Sequence, residues 1–270
     1  MEKYFANKII WITGASSGIG EALARELSRF NTTLILSSRR PEALESVRNS
    51  LPETSRSRVH LLPFDLAAAE TLEQVTRQAL AICNRIDVVI LNGGIAQRGL
   101  ARNTTLEVDR ELMEVDYFAN IAITKYLTPH FTQRNSGHFV VVSSVMGFIG
   151  TPFRSGYAAA KHALHGYYDS LRAELWYKTP GVKVTLICPG WVKTSITMNA
   201  VAGDGTRLNQ MDAATARGIE PAIFAVKMLK AVAAGKTTAV IGGLKEVSAV
   251  WLQRFLPGLF VRIVRSVAVR

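Results

Sequence analysis

Seven short stretches of the chain are almost continuously apolar and rich in β-branched residues. They are KIIWIT (8–13), TTLILSS (32–38), RVHLLP (58–63), IDVVIL (86–91), HFVVVS (138–143), VKVTLI (182–187) and TTAVIG (237–242). Unbroken apolarity over so few residues predicts parallel strands buried on both faces, since a half-exposed strand would alternate. Between them, residues 18–29, 41–50, 67–83, 105–133, 157–178 and 221–234 carry apolar positions at helical spacing. Strand–helix alternation predicts an α/β protein: one doubly wound domain of about seven parallel strands, with helices on both sides. Residues 1–245 contain no linker and no internal repeat.

Two segments break the rhythm. Residues 194–219 form an irregular, glycine-containing insertion between a strand and a helix. At the carboxyl end of a strand this reads as a lid over a site, or as a plain mobile loop. The C-terminal extension, 246–270, follows the last strand. If helical after Pro257, it gathers Leu259, Phe260, Ile263, Val264 and Val267 on one side and Arg262 and Arg265 on the other, with Val261 and Val269 as exceptions. A basic amphipathic helix of this kind lies at a membrane interface, covers a hydrophobic substrate mouth, or docks on a partner subunit or its own core.

Composition narrows the class. A 48% apolar chain of 270 residues builds a sizeable core and excludes disorder. Two cysteines, Cys83 and Cys188, supply neither a disulfide framework nor metal-ligand spacing, which suits a reducing compartment. His162 and His165 lack a third ligand at suitable spacing. The first strand begins by about Lys8, leaving no room for a signal peptide, and no apolar run approaches the ~18 residues of a membrane span. A cytoplasmic location is expected, with the C-terminal helix as a potential peripheral membrane contact. The net charge of +11 points to anionic partners. Most basic residues are scattered; Arg39–Arg40 and the tail arginines Arg254, Arg262, Arg265 and Arg270 are the exceptions. No dedicated nucleic-acid motif is present.

Directly after the first strand, TGASSGIG (13–20) places Gly14, Gly18 and Gly20 where strand turns into helix. Glycine permits the tight turn and lets backbone N–H groups of Ser16, Ser17 and Ile19 approach a pyrophosphate, with the positive helix end behind them. The plain alternative is an ordinary glycine turn. The second strand ends in Ser38 and Arg39, where an enzyme preferring NAD usually carries an acid. A guanidinium matches a ribose 2′-phosphate bidentately, so NADP(H) is the expected cofactor. Asp65 and Leu66, after the third strand, are expected at the adenine end. Asn92 and Gly93, after the fourth, lie where backbone passes close to the cofactor.

In SGYAAAKHAL (155–164), Tyr157 and Lys161 share one helix face a turn apart. The spacing alone is weak, because Tyr4 and Lys8 repeat it at the start of the chain.

Together these motifs resemble the short-chain dehydrogenase/reductase family, a Rossmann-fold group. TGASSGIG matches its cofactor loop, and LNGGI (91–95) resembles its Asn-Asn-Ala-Gly motif, with Leu91 and Gly93 departing from it. Ser144 stands thirteen residues before Tyr157, the family spacing, and CPGWVKT (188–194) matches its Pro-Gly motif. The resemblance implies that Ser144, Tyr157 and Lys161 are catalytic and that Pro189, Gly190, Val192 and Thr194 join Tyr157 and Lys161 in holding the cofactor. It implies hydride transfer between nicotinamide C4 and a carbonyl carbon, with Tyr157 exchanging the proton. A free phenol has pKa ~10, and lowering it by ~3 units requires ~4 kcal/mol from the site. Lys161 and the charged nicotinamide are the implied sources. One position departs: the family's tetrad asparagine is replaced by Asp116, in MEVDYFANIAI, while Asn120 lies one turn on. An acid beside Lys161 weakens its field on Tyr157, and Asn120 offers a partial substitute. The expected activity is NADP(H)-dependent carbonyl reduction or alcohol oxidation, on a small-molecule, lipid-like or otherwise hydrophobic substrate. The alternative is a catalytically weak NADP(H)-binding sensor. Helices 105–133 and 157–178 resemble those that the family packs between subunits, implying a homodimer or homotetramer.

Overall fold

The computed structural model describes residues 1–210 and 212–266. Met211, within the 194–219 insertion, and Val267, Val269 and Arg270 of the tail lie outside the described residues. The strands are β1 (Ile9–Thr13), β2 (Thr33–Ser37), β3 (Val59–Leu61), β4 (Val88–Leu91), β5 (Gly137–Val142), β6 (Val182–Pro189) and β7 (Thr238–Ile241). The helices are α1 (Glu2–Phe5), α2 (Gly18–Leu27), α3 (Pro41–Asn49), α4 (Glu53–Arg56), α5 (Leu72–Cys83), α6 (Leu106–Met113), α7 (Ala119–Gln133), α8 (Ser155–Lys178), α9 (Ala213–Ala216), α10 (Pro221–Ala233), α11 (Leu244–Phe255) and α12 (Pro257–Ser266).

All seven strands are parallel, in the order β3-β2-β1-β4-β5-β6-β7. The pleat splits each strand between two cores. Ile10, Ile12, Leu34, Leu36, Val88 and Ile90 face one, with Leu23, Leu27 and Phe224. Trp11, Ile35, Val89, Leu91, Phe139 and Val141 face the other, with Ile123, Leu127 and Leu164. The chain reverses direction across the sheet between β1 and β4, the place where a doubly wound sheet opens a crevice at its carboxyl edge.

His138, buried in β5, bonds the Tyr4 hydroxyl at 2.6 Å and Thr185 Oγ1 at 2.8 Å. Burial is the main cause that depresses its pKa to about 3. The folded state therefore refuses a proton that the unfolded chain takes up near pH 6.5. Stability is full above that value and falls as pH drops from 6.5 toward 3, at most by about 1.4 kcal/mol per pH unit. In His138→Gln the thermal midpoint should fall less steeply across this window; an unchanged slope refutes the assignment.

The structure adds two features that the apolar pattern does not show. Between α6 and α7, residues Glu114–Phe118 form a π-helical turn. Beyond β7, α11 precedes the tail helix, and α12 folds back so that Phe260 and Val264 pack with Val145, Met146, Ile149 and Ala158. Among the described residues, no helix is long and apolar enough to cross a membrane.

Candidate active site

The carboxyl ends of the strands open into one cleft of about 1500 Å³. Its floor is the loop after β1. Gly14 has φ +64°, a left-handed conformation that favours glycine, and a Cβ there would stand 2.7 Å from Gly93 Cα. Asn92 locks the two loops together: its Nδ2 donates to the carbonyl oxygens of Thr13 (3.1 Å) and Gly14 (3.2 Å). Thr13 Oγ1 in turn accepts from the backbone N–H groups of Asn92 and Gly93, each at 3.0 Å. Ser17 caps α2 with its backbone alone, so the first turn of that helix presents amide groups that no cap side chain satisfies. Ser38 Oγ is buried without a hydrogen-bond partner, next to Arg39 in the wall of the cleft. Unpaired donors, a positive helix end and glycines in mutual contact fit a dinucleotide phosphate and its ribose.

The opposite wall carries Ser144, Tyr157 and Lys161. Ser144 follows two residues after β5 and caps the short turn Val145–Gly147; its Oγ accepts from the Met146 N–H at 3.1 Å, which leaves its own proton to donate into the cleft. Tyr157 and Lys161 lie one turn apart on α8 as the spacing predicts, and Lys161 Nζ stands 5.5 Å from the Tyr157 ring centre. The start of α8 is set by a residue that sequence reasoning missed. Gln97, fully buried, accepts from the N–H groups of Gly156 (2.9 Å) and Tyr157 (3.3 Å) through Oε1, and donates to Thr104 through Nε2 (2.9 Å). It fixes the backbone that carries the phenol.

Asp116 sits in the π turn, where the extra residue swings it inward. Its Oδ1 accepts from the Ile95 N–H at 2.8 Å, and its Oδ2 lies 3.3 Å from Lys161 Nζ. The same ammonium donates to the Val142 carbonyl at 3.4 Å. Burial pushes the Asp116 carboxyl above the usual carboxylate range, and the neighbouring ammonium offsets only part of this. For Lys161 burial pulls downward, but Asp116 and Tyr157 outweigh it and the net direction is up. Asn120 does not reach Lys161: its Nδ2 donates to the Asp116 carbonyl at 2.8 Å, within the helix.

Most residues singled out from the sequence line this one cleft: Gly14, Ser16, Ser17, Gly18, Ile19, Ser38, Arg39, Asp65, Leu66, Asn92, Gly93, Ser144, Tyr157, Lys161, Pro189, Gly190, Val192 and Thr194. Gly20 and Asp116 do not. Gly20 stands behind the loop, where a Cβ would collide with the Gly14 carbonyl. Asp116 stands behind Lys161, in contact with its ammonium rather than with the cleft. The 194–219 insertion contributes Ser195, Asn199 and Asp212, and the C-terminal helices contribute Leu252, Phe260 and Val264. The tail thus walls the cleft. Tyr4 and Lys8 lie elsewhere, beside His138 and Lys183 at the amino ends of β5 and β6. His165 packs at 3.1 Å from Ser143 Oγ and is held unprotonated by burial, while His162 is exposed.

Residues 8–205 match the family model of short chain dehydrogenases. This chain belongs to the short-chain dehydrogenase/reductase family. A mouse (Mus musculus) relative named dehydrogenase/reductase SDR family member 7B is 37% identical over 266 residues, covering 97% of this chain and 82% of that protein. Its zebrafish (Danio rerio) counterpart is 38% identical over 265 residues, covering 96% and 85%. Among solved structures, a short-chain dehydrogenase from Streptomyces avermitilis superposes with TM-score 0.79 at 27% identity over 96% of each chain. A Burkholderia phymatum member of the family, solved in complex with NAD, gives 0.82 at 20% identity over 95% of this chain and 96% of that one, a likeness of fold. Family membership makes the chain an oxidoreductase with a nicotinamide dinucleotide cleft.

Proposed function

We propose that the protein is an NADP(H)-dependent carbonyl reductase or alcohol dehydrogenase acting on a hydrophobic substrate, with Tyr157 exchanging the proton. The observation that carries this reading is the convergence of Ser144, Tyr157 and Lys161 in the cleft whose far end holds the glycine loop, Ser38 and Arg39. A bound nicotinamide dinucleotide supplies or accepts the hydride. Ser144 Oγ–H donates a hydrogen bond to the substrate oxygen and holds it against Tyr157 Oη. In reduction Tyr157 gives that oxygen its proton; in oxidation it takes the proton away. The buried Lys161 ammonium favours the charged phenolate that forms when Tyr157 gives up its proton. Burial makes that field count for more than it would in water. The rival reading, a dinucleotide sensor that does not turn over, draws on the direct contact of Asp116 with Lys161. NADPH consumption with a panel of apolar ketones separates the two.

Arg39 supports the choice of nucleotide. Nothing acidic stands at the end of β2, and Ser38, its hydroxyl unpaired, and Arg39 both line the cleft. By calorimetry NADPH should bind at least tenfold more tightly than NADH, which corresponds to about 1.4 kcal/mol. Arg39→Asp should close or reverse the gap. Equal affinities in the native protein refute NADP preference.

The long helices support self-association. Trp176 and Tyr177 on α8, Tyr126 on α7 and Phe118 of the π turn are all exposed. Large aromatics left in solvent mark interaction surfaces. Light scattering at micromolar concentration should give a homodimer or homotetramer; a clean monomer overturns this.

A further inference from the structure

We propose that the carbonyl substrate carries an oxyanion, carboxylate or phosphate, seated on Arg154 and Arg98, and an apolar chain that lies along the C-terminal helices. The proposal rests on the carbonyl-reductase reading and names the substrate class for that site.

The observation behind it is an excess of buried positive charge. Arg154, Arg98, Trp191 and Asp212 all line the substrate half of the cleft. Arg154 is 3% exposed, yet its Nη2 has no hydrogen-bond partner among the described residues. The nearest carboxylate oxygen, Asp212 Oδ2, is 3.5 Å away and already accepts from Arg98 Nη2 at 2.7 Å. The other oxygen, Oδ1, caps α9 by accepting from Ala214 N–H (2.7 Å) and Thr215 N–H (3.3 Å). One carboxylate, already accepting three hydrogen bonds, therefore faces two guanidiniums. The Arg154 guanidinium lies 4.6 Å from the Trp191 ring centre, which fixes its plane without neutralising it. Burial, with Arg98 next in weight, lowers the Arg154 pKa to about 10.

A buried cation short of a partner is costly, and an oxyanion from the ligand supplies what is missing. The location ties that anion to the reaction. Arg154 is the residue at the N-terminal boundary of α8, and Tyr157 follows within the first turn. An anion on Arg154 thus sits about one helical turn from the phenol that meets the carbonyl oxygen. Beyond it the wall is apolar: Met146, Ile149, Leu252, Phe260 and Val264. A neutral ketone fills that wall but leaves Arg154 Nη2 without a hydrogen bond, and a site built for a charge rejects the ligand that lacks it.

The test is calorimetry with octyl phosphate, octanoate and octan-1-ol, with the protein saturated by its preferred nucleotide so that Arg39 is already occupied. At least one anion should bind tenfold or more tightly than octan-1-ol, and the order of the two anions tells phosphate from carboxylate. In Arg154→Met that preference should collapse to within about threefold, whereas Arg154→Lys should keep part of it. Nucleotide affinity should stay unchanged in both variants. The proposal is overturned if the native protein binds octan-1-ol as tightly as both anions. It is equally overturned if Arg154→Met weakens all three ligands alike, because the arginine then only pins the 194–219 insertion to α8. Anion preference in a protein that reduces no ketone leaves this site standing and removes the carbonyl-reductase reading instead.

Discussion

Tyr157→Phe should lower kcat by about a thousandfold or more while leaving NADPH affinity within a few-fold. The loss belongs to the proton: a positioned acid or base contributes roughly 10²–10⁴ in rate, and phenylalanine keeps the ring but not the hydroxyl. The ring edge packs with Ile95, Val108 and Val115, so the fold should hold. Lys161→Ala should behave differently, because Lys161 is 4% exposed and paired with Asp116. Removing it takes away the field on Tyr157 and the implied bond to the cofactor. It also leaves a buried carboxylate without its cation, at a cost of about 3–5 kcal/mol. Turnover, cofactor affinity and thermal midpoint should all fall together. Single-turnover kinetics with a verified substrate check both variants. If Tyr157→Phe retains most of the native rate, the proton does not travel through the phenol.

The sheet was legible because parallel strands buried on both faces need unbroken apolar runs, and turns at fixed places end them. Five of the seven strands fall inside the stretches that the apolar pattern marks; β5 starts one residue earlier, at Gly137, and β6 runs two residues further, to Pro189. The glycine loop was legible for a related reason: close approach of Gly14 to Gly93 tolerates no side chain, so chemistry and sequence coincide. Asp116 was only half legible. Helical periodicity does not register a single extra residue, and without the π turn Asn120, one turn on, looks able to substitute in part for Asp116. The turn settles which side chain meets Lys161. Arg154 was not legible, since its charge partner Asp212 and neighbour Arg98 are brought to it only by folding. Alone in the sequence it reads as one more basic surface residue on a chain rich in them. Tyr4 and Lys8 show the converse. They share the spacing of Tyr157 and Lys161, and what separates the two pairs is the edge of the sheet on which each stands.

Replacing Asp116 separates its two duties. In Asp116→Ala the Ile95 N–H loses its acceptor, and the Lys161 ammonium, buried with only the Val142 carbonyl 3.4 Å away, loses its counter-charge. Breaking a buried pair from one side costs about 3–5 kcal/mol, so the thermal midpoint should drop by many degrees. Asp116→Asn removes the charge alone. The amide oxygen still accepts from Ile95, and asparagine is the residue that the family's tetrad carries beside the lysine, so the loss of stability should be smaller. The catalytic effect should run the other way. With the carboxylate gone, nothing offsets the ammonium's field on Tyr157, and the phenolate that oxidation needs as base is favoured. The rising limb of alcohol oxidation should therefore move to lower pH in Asp116→Asn, and oxidation at pH 7 should gain relative to the native protein. A purely structural role for Asp116 predicts lower stability with no movement of that limb. Because the two substitutions differ in stability and charge in separate ways, a pH profile beside each melting curve tells the roles apart. An unshifted limb in Asp116→Asn would mean that the carboxyl does not act on Tyr157 through Lys161.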